Sequence, residues 1–181
     1  MTLSDDQTGK AVRIRRVNAN DGAALARIYA PFVTQNAVSF EYEAPDAKAM
    51  SERALQLDAT YGWLVAENSH GECLGYAYAG PFRQRPAYDW AVETSAYLAP
   101  EARGTGLGAR LYRRLFGLLY TAGFRTAIAV ITLPNAVSER FHERLGFRRV
   151  GILENIGYKF DRAYDVAYYQ RDIDAADAVE L

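Results

Sequence analysis

ARGTGLGARLY, residues 102–112, places three glycines within the five positions from Gly104 to Gly108 and continues directly into an apolar segment. Glycine is unfavourable inside a helix and is useful where the backbone turns sharply or must approach another group closely. The first amide groups of a helix have no intrahelical partner, and the helix dipole attracts anions to them. A strand, a glycine-rich turn and a helix in succession are therefore typical of a site that holds phosphate groups.

Two familiar phosphate-binding patterns do not fit this stretch. A P-loop requires Gly-Lys followed by Ser or Thr, and that combination occurs nowhere in the chain. The dinucleotide-binding pattern G-x-G-x-x-G/A is matched by Gly104, Gly106 and Ala109, but it also needs an acidic residue about 20 positions further on. Residues 117–138 contain no Asp or Glu, so a nicotinamide-dependent oxidoreductase is a disfavoured alternative.

The composition is that of a soluble globular protein. Half of the 181 residues are hydrophobic and the net charge is −1, so neither nucleic acid nor a membrane is expected as a partner. The single cysteine, Cys73, excludes an internal disulfide framework or a thiolate metal cluster, and no metal is expected. The first ten residues, MTLSDDQTGK, lack an apolar stretch and no segment approaches the length of a membrane span, so we expect a cytoplasmic location.

The apolar pattern predicts a mixed α/β fold in a single domain at residues 12–173, with a flexible N-terminus at 1–11 and an acidic, frayed tail at 174–181. Alternating or continuous apolar runs predict strands, and apolar residues three and four apart predict helices. We predict strands at 12–17, 38–43, 62–67, 73–80, 88–100, 126–132, 147–154 and 165–173. We predict helices at 18–33, 46–61, 106–122 and 135–146. An antiparallel meander thus precedes a β-α-β-α-β unit.

A third pattern fits the glycine-rich stretch. Residues 103–108 match R/Q-x-x-G-x-G/A and resemble the acyl-CoA-binding loop of the GCN5-related N-acetyltransferase (GNAT) superfamily. LPNAVSERFHERLGFRRVG (133–151) looks like the next element of that superfamily, in which an Asn and a helix line the pantetheine arm of coenzyme A. AGPFRQRPAYDWAVETSAYL (79–98) and GYKFDRAYDVAYYQRDI (157–173) are similar to parts of the phosphinothricin acetyltransferases, and the similarity extends over about residues 12–173.

This resemblance implies a GNAT acyltransferase fold with a mixed, mostly antiparallel central sheet flanked by helices. It implies an acetyl-CoA-dependent enzyme that acetylates the α-amine of phosphinothricin, methionine sulfoximine or methionine sulfone by direct transfer in a ternary complex, and a homodimer. Phe82, Tyr164 and the pair Tyr168–Tyr169 stand where tryptophan or Phe-Trp is usual, which leaves the substrate open. A non-catalytic acyl-CoA sensor and an N-acetyltransferase of another small amine are the alternatives.

Glu93 and His142 are the candidates for proton transfer. Glu93 lies in the largely apolar stretch WAVETSAYL (90–98), where a carboxylate needs a charged partner, and it would bind the substrate ammonium and help to deprotonate it. A solvated strand face or a buried ion pair is the structural alternative for Glu93. The phosphinothricin group has a histidine at the position of His142, and its ordinary pKa suits proton transfer, whereas a packed helical histidine is the alternative. The sequence leaves open which of the two is base or acid.

The resemblance assigns most of the remaining site residues by position, whereas Phe40 and Tyr97 are expected as pocket walls and Lys159 as the residue that closes the other side. Besides Glu93, the expected substrate-binding residues are Phe40, Arg83, Gln84, Arg85, Thr94, Ser95 and Lys159. The two arginines would offer forked donors to a carboxylate or a phosphinyl oxygen. The expected acetyl-CoA-binding residues are Ala96, Tyr97 and Leu98, whose backbone would pair with the pantetheine amides, then Gly104, Thr105, Gly106, Leu107, Gly108 and Ala109 of the loop, Asn135 for the arm, and Arg103 and Arg144 for the outer phosphates.

Overall fold

The computed structural model describes residues 12–178, so the predicted flexible segment 1–11 and the last three residues of the predicted tail lie outside the described residues. The strands are β1 (Arg13–Arg16), β2 (Trp63–Glu67), β3 (Cys73–Pro81), β4 (Ala91–Leu98), β5 (Thr126–Thr132), β6 (Arg148–Lys159) and β7 (Arg162–Asp172). The helices are α1 (Gly22–Thr34), α2 (Ala47–Thr60), α3 (Leu107–Thr121) and α4 (Ala136–Arg144).

The seven strands form one sheet in the order β1-β2-β3-β4-β5-β7-β6. Strands β4 and β5 are parallel because α3 carries the chain from the end of one to the start of the other. Every other neighbouring pair is antiparallel. The mixed, mostly antiparallel sheet that the resemblance implies is therefore confirmed.

Helices cover both faces of this sheet because side chains alternate along each strand. Leu111 and Leu115 of α3 belong to a buried cluster on one face, and Phe141 of α4 packs against that cluster. Leu25 of α1 and Met50 of α2 belong to a second cluster on the other face. The sheet therefore separates a layer of α3 and α4 from a layer of α1 and α2.

Side-chain caps fix where two of the helices begin. The Asp46 carboxylate accepts a hydrogen bond from the Ala49 amide at the start of α2, and the Asn135 side chain accepts one from the Ser138 amide at the start of α4. Such caps satisfy amide groups that have no intrahelical partner. Helix α3 differs, because the residue at its N-cap position is Gly106 and no side chain caps its first amide groups.

Two sequence-based expectations about local structure are wrong. Residues 38–43 form no strand. The carbonyl oxygens of Ser39, within this stretch, and of Asn36, just before it, bind the ammonium group of Lys159 and not a neighbouring strand. The acidic tail is not frayed at its start, since Asp177 closes a short 3₁₀ turn and pairs with Arg171 at 2.6 Å. The first difference comes from a contact between residues 120 or more positions apart, whereas the second comes from a pair only six positions apart.

Among residues 12–178, no helix is long and apolar enough to cross a membrane. No three His, Cys, Asp or Glu side chains of that range are grouped in a way that would hold a metal ion.

Candidate active site

The sheet opens between its two parallel strands. Strand β4 pairs with β5 only from Ala91 to Glu93, opposite residues 126–128. Beyond that point β5 stays paired with β7, whereas residues 94–98 of β4 have no β5 partner among the described pairs. We call this gap the β4–β5 opening. It leaves backbone groups of β4 free to bind an extended ligand, since unpaired backbone groups need a hydrogen-bonding partner.

The glycine-rich loop lies at the end of this opening and directly precedes α3. Gly104 and Gly106 have φ angles of 76° and 83°, in the left-handed region that L residues other than glycine rarely adopt. A Cβ atom built on either of them would meet no protein atom within 4 Å, so the space above the loop is open. With α3 uncapped, the loop offers free amide groups and space for a phosphate-bearing ligand.

Gly108 has a different role from the two loop glycines. A Cβ atom at Gly108 would lie 3.2 Å from the Phe141 ring and 3.5 Å from a methyl group of Leu98. Glycine here therefore lets α3 approach α4 and the end of β4 closely. The three glycines of the stretch thus divide into two that shape the loop and one that allows tight packing.

The other expected cofactor residues lie around the loop. The Thr105 hydroxyl donates to the Ala102 carbonyl at 2.8 Å, so this side chain stabilises the loop. Arg103 donates from Nε to the Leu98 carbonyl at 3.3 Å and lies over the Phe32 ring. The Asn135 amide oxygen is used to cap α4, and Arg144 is exposed at the end of that helix.

Glu93 lies at the point where the two strands separate, since it is the last residue of β4 that pairs with β5. Its side chain is partly buried, and burial raises the pKa of the carboxyl group above its ordinary value. The positive charge of Arg83 acts in the opposite direction on the same pKa. Glu93 is therefore a desolvated carboxylate beside an open gap, as expected of a group that meets a cation or a proton.

The buried side chain of His142 meets the Tyr112 side chain of α3. Its Nδ1 lies 2.8 Å from the Ser138 carbonyl oxygen, which can only accept, so Nδ1 carries the proton. Its Nε2 is then an acceptor and lies 3.2 Å from the Tyr112 hydroxyl. Burial lowers the pKa of His142 below its ordinary value, which keeps the ring neutral.

Thr94 is placed differently from the expectation that it contacts substrate. Its side chain is buried on the α3 face of β4, and its hydroxyl donates to the Ile128 carbonyl at 3.2 Å. Burial raises the pKa of Tyr112, and the Thr94 side chain lies beside that residue. Thr94 therefore belongs with Tyr112 and His142 and does not share the face that carries Glu93.

The opposite face of β4 has an aromatic and polar lining, of which the sequence indicated Ser95 and Tyr97 but not the residues that they contact. Tyr97 packs edge-on against Tyr29, with ring centroids 4.9 Å apart. The Tyr29 hydroxyl donates to Glu41 at 3.0 Å, and Glu41 pairs with Arg53 at 2.7 Å. Ser95 lies opposite Tyr78 of β3 and hydrogen-bonds its hydroxyl. The thirteen tyrosines suggested a protein with pockets, but no spacing in the sequence indicated which of them meet.

The expected substrate arginines lie in the exposed loop between β3 and β4. Arg83 donates to the Phe82 carbonyl at 3.0 Å and lies over the Phe82 ring, and its charge reaches Glu93. Gln84 and Arg85 are exposed in the same loop. Of the two arginines, Arg83 is thus the one that is electrostatically linked to the candidate catalytic carboxylate.

Lys159 does not face a pocket, contrary to the sequence-based expectation. Its ammonium group is buried against three backbone carbonyl groups, because it lies beneath the segment that follows α1. Phe40, at the surface of that segment, packs against Gly157 and lies 6.2 Å from the Tyr164 ring, measured between centroids. Phe40 is therefore exposed at the surface of the segment, whereas Lys159 is buried beneath it.

Comparison with known proteins identifies the family of this chain. The acetyltransferase (GNAT) domain family matches residues 14–168. The phosphinothricin N-acetyltransferase of Streptomyces viridochromogenes is 38% identical over 165 residues, which cover 91% of this chain and 90% of that protein. The L-methionine sulfoximine/L-methionine sulfone acetyltransferase of Salmonella typhimurium is 32% identical over 163 residues, which cover 89% of this chain and 94% of that protein.

A crystal structure of a GNAT superfamily phosphinothricin acetyltransferase from Sinorhizobium meliloti, in complex with AcCoA, has a TM-score of 0.85 and 35% sequence identity to this chain. The match covers 93% of this chain and 92% of that one. The chain therefore belongs to the GNAT acetyltransferase family. It is an N-acetyltransferase, as the resemblance implied.

Proposed function

We propose that the chain transfers the acetyl group of acetyl-CoA to the α-amine of small amino-acid analogues, with phosphinothricin, methionine sulfoximine and methionine sulfone as the substrate class. The observation that carries the proposal is the partly buried carboxylate of Glu93, which lies where β4 and β5 separate and has a raised pKa. A desolvated carboxylate at this point can hold an ammonium group and accept its proton. The names of the relatives support the substrate class.

The residues around the β4–β5 opening fit acetyl-CoA, which supplies the acetyl group as a thioester. The open loop at Gly104 and Gly106 and the uncapped start of α3 are assigned to the pyrophosphate. The backbone of Ala96, Tyr97 and Leu98 is assigned to the pantetheine amides, because this part of β4 has no β5 partner among the described pairs. Arg103 and Arg144 are assigned to the outer phosphates, and Asn135 to the start of the helix beside the arm.

In the proposed mechanism both substrates are bound together and transfer is direct. Glu93 binds the ammonium group and takes one of its protons, which gives a free amine as the nucleophile. The charge of Arg83 acts against the rise in the pKa of Glu93 and so favours the ionised carboxylate, which is the form that can accept a proton. The pair of His142 and Tyr112 is assigned the protonation of the departing thiolate. The ammonium group gives up two protons in all, the first to Glu93 and the second once its nitrogen has bonded to the acetyl carbon. As the C–S bond breaks, the thiolate takes a proton from the Tyr112 hydroxyl, which donates to Nε2 of His142, and the second proton from the nitrogen restores that hydroxyl.

The proposed amine pocket lies on the α1 and α2 side of β4. Glu93 and Ser95 of β4 form its floor, Phe40 forms a wall, and Arg83 supplies positive charge for the substrate carboxylate or its phosphinyl or sulfonyl oxygen. Thr94 and Lys159 are left out of this pocket because both side chains are buried elsewhere.

We also propose that the chain forms a homodimer through β6, which is the last strand of the sheet and, within residues 12–178, pairs with β7 alone. Exposed edge strands that carry apolar side chains tend to associate with another chain. The exposed apolar side chains of this strand are Val150, Ile152, Leu153, Ile156 and Tyr158. Sedimentation velocity tests the proposal, and Ile156→Glu is expected to shift a dimer towards a monomer, whereas a monomeric wild-type protein would contradict it.

A cytoplasmic location and the lack of nucleic-acid and membrane partners stay predictions from the sequence.

A thiol-release assay tests the enzymatic proposal. We expect release of coenzyme A with the three named analogues and no release with the same compounds already acetylated at the α-nitrogen. The Tm measured with acetyl-CoA or with NAD provides the second readout. A ligand that binds the folded state stabilises it by about 2.7 kcal/mol when its concentration is 100 times its Kd. Stabilisation by acetyl-CoA without turnover of any amine would favour the sensor, and stabilisation by NAD alone would favour the oxidoreductase. Turnover of other amines only would contradict the substrate class.

A further inference from the structure

The ammonium group of Lys159 is fully engaged with backbone oxygen atoms. It lies 2.6 Å from the Val33 carbonyl, 3.3 Å from the Asn36 carbonyl and 2.6 Å from the Ser39 carbonyl. An ammonium group has three donors and no acceptor, so each of its hydrogen atoms has a partner. The Lys159 side chain is 2% exposed, and burial lowers the pKa of its ammonium group, which the charge of Glu41 partly offsets. A buried charge is costly unless it is well paired, so this arrangement needs a reason.

The carbonyl group of Val33 lies in the last turn of α1, and those of Asn36 and Ser39 lie in the chain that leads from α1 to α2. Residues 35–42 contain no helix or strand, so their carbonyl groups do not accept the regular backbone hydrogen bonds of such elements. The Lys159 ammonium group donates to two of these carbonyl groups instead. The neighbouring residues of β6 hold the same segment, which we call the 35–42 segment. The Tyr42 hydroxyl donates to the Tyr158 carbonyl at 2.8 Å, and the Phe40 ring lies directly on Gly157.

The contact at Gly157 leaves no room for a side chain. A Cβ atom built there would lie 2.0 Å from Cζ of Phe40, far closer than real Cβ contacts. The position of the Phe40 ring is therefore set from two directions. Lys159 holds the backbone on which Phe40 is carried, and Gly157 allows the ring to rest on β6.

The 35–42 segment is connected to the catalytic face of β4 by direct contacts. Glu41 of the segment accepts from Tyr29 at 3.0 Å and pairs with Arg53 at 2.7 Å. Tyr29 in turn packs on Tyr97, which lies on the same face of β4 as Glu93. A shift of the segment therefore changes both the Phe40 wall and the lining next to the candidate catalytic carboxylate.

We infer that Lys159 is a positioning residue for the amine substrate: by binding the carbonyl groups of Val33, Asn36 and Ser39, it fixes the 35–42 segment and so sets the width of the pocket beside Phe40. This inference rests on the proposed function, because it concerns the pocket for the amine. The acetyl-CoA loop at Gly104–Gly108 lies in another part of the chain and makes none of these contacts among the described residues. Lys159 thus determines amine affinity and choice without contacting either substrate.

The test compares Lys159→Met, which keeps length and removes the donors, with Lys48→Met, whose side chain is 84% exposed on α2. Steady-state kinetics with methionine sulfoximine, phosphinothricin and methionine sulfone give KM and kcat for each, and calorimetry gives the Kd for acetyl-CoA. A misplacement of about 1 Å can cost about a hundredfold in rate. We expect Lys159→Met to raise the amine KM by about tenfold or more and to change the order of the three substrates. The Kd for acetyl-CoA should stay within about twofold, and Lys48→Met should behave as wild type.

Gly157→Ala provides a second variant, which keeps Lys159 and adds one methyl group against Phe40. Gly151→Ala in the same strand is its control, since a Cβ atom built at Gly151 meets no atom within 4 Å. We expect Gly157→Ala to change the amine KM, and Phe40→Ala to remove most of that effect in the double variant. If Lys159→Met fails to fold, these variants decide. Unchanged amine KM and substrate order in folded Lys159→Met or, where that variant does not fold, in Gly157→Ala would overturn the inference, and so would an equal change in the acetyl-CoA Kd. Wild-type protein that turns over none of the amines would overturn the proposed function itself, and the inference with it.

Discussion

The hydroxyl of Tyr112 lies 3.2 Å from Nε2 of His142, so α3 and α4 meet through two groups that can exchange a proton. The other ring nitrogen of His142 is fixed as a donor by the Ser138 carbonyl. The tautomer of the histidine is thus set by its own helix, and the direction of its remaining lone pair is set by a tyrosine of the neighbouring helix. A histidine held in this way is prepared for one proton-transfer geometry.

Tyr112→Phe should therefore impair catalysis more than binding. Removal of the hydroxyl leaves Nε2 of a buried ring without its donor, at a cost of about 1–3 kcal/mol in the free energy of unfolding. We expect kcat to fall by about tenfold to a hundredfold, with the Kd for acetyl-CoA unchanged. Tyr120→Phe on the same helix is the control, and kcat equal to wild type in both variants would remove Tyr112 from the proton path.

The tautomer and the neutral state of His142 are accessible to NMR. The chain has two histidines, and the second, His70, is exposed. Because burial lowers the pKa of His142, its ring should titrate below the ordinary value of 6.5 and carry its proton on Nδ1 at neutral pH. Titration of the His142 ring at or above 6.5 would contradict the account of this pair.

Glu93→Gln should be more stable than the wild type at neutral pH and much less active. The pKa of Glu93 is raised in the folded state, so its ionisation above the ordinary value of 4.5 destabilises the fold, and the amide removes that penalty. The difference in Tm should grow as the pH rises through this region and vanish below it. We expect kcat/KM to fall by about 10²-fold or more at pH 7, with partial recovery at high pH, where the amine is free.

Glu52→Gln, at an exposed carboxylate on α2, is the control for this experiment and should leave both Tm and kcat/KM unchanged. Equal activity of Glu93→Gln and wild type across the pH range would show that another group accepts the proton.

Arg83→Ala should affect the amine substrate and the pH profile together. Loss of its charge removes the factor that lowers the pKa of Glu93, so the acidic limb of kcat/KM should move to higher pH. We expect kcat/KM for the amine to fall by about tenfold or more, with acetyl-CoA binding intact. Arg85→Ala, in the same exposed loop, should have the smaller effect, and the reverse order would exchange the roles of the two arginines.

Gly106→Ala should weaken acetyl-CoA binding through the backbone. No protein atom would contact the new methyl group, but a φ of 83° costs an L residue roughly 1–2 kcal/mol. The loop is expected to leave the left-handed conformation and to raise the Kd for acetyl-CoA by about tenfold, as measured by calorimetry. Gly151→Ala, which is equally uncrowded but has no positive φ, is the control. An unchanged Kd in Gly106→Ala would exclude the loop from the site.

The order of elements was accessible from the sequence because it depends on local patterns. The apolar run at 126–132 predicts β5 with its observed ends, and Asn135 marks the start of α4 through its cap. The face of β4 that carries Glu93 and Tyr97 follows from simple alternation. These features need only neighbouring residues in the chain.

The parts that sequence reasoning missed depend on contacts across the fold. Lys159 was expected at the pocket surface, but its three partners lie 120 or more positions away in the chain. Tyr112 lies on the buried face of α3, where a tyrosine is not distinguished by spacing from a core residue. Thr94 was grouped with Glu93 by position, although alternation already placed its side chain on the other face.

The measurement that tests the central claim most directly is fragmentation mass spectrometry of the product formed from methionine sulfoximine and acetyl-CoA. The account predicts one acetyl group, located on the α-nitrogen, with one coenzyme A released for each product, and a rate that falls by about 10²-fold or more in Glu93→Gln. Methionine sulfoximine carries a second nitrogen on its sulfur, so the position of the acetyl group is informative. An acetyl group on that second nitrogen, or bound acetyl-CoA with no acetylated product, would contradict the account.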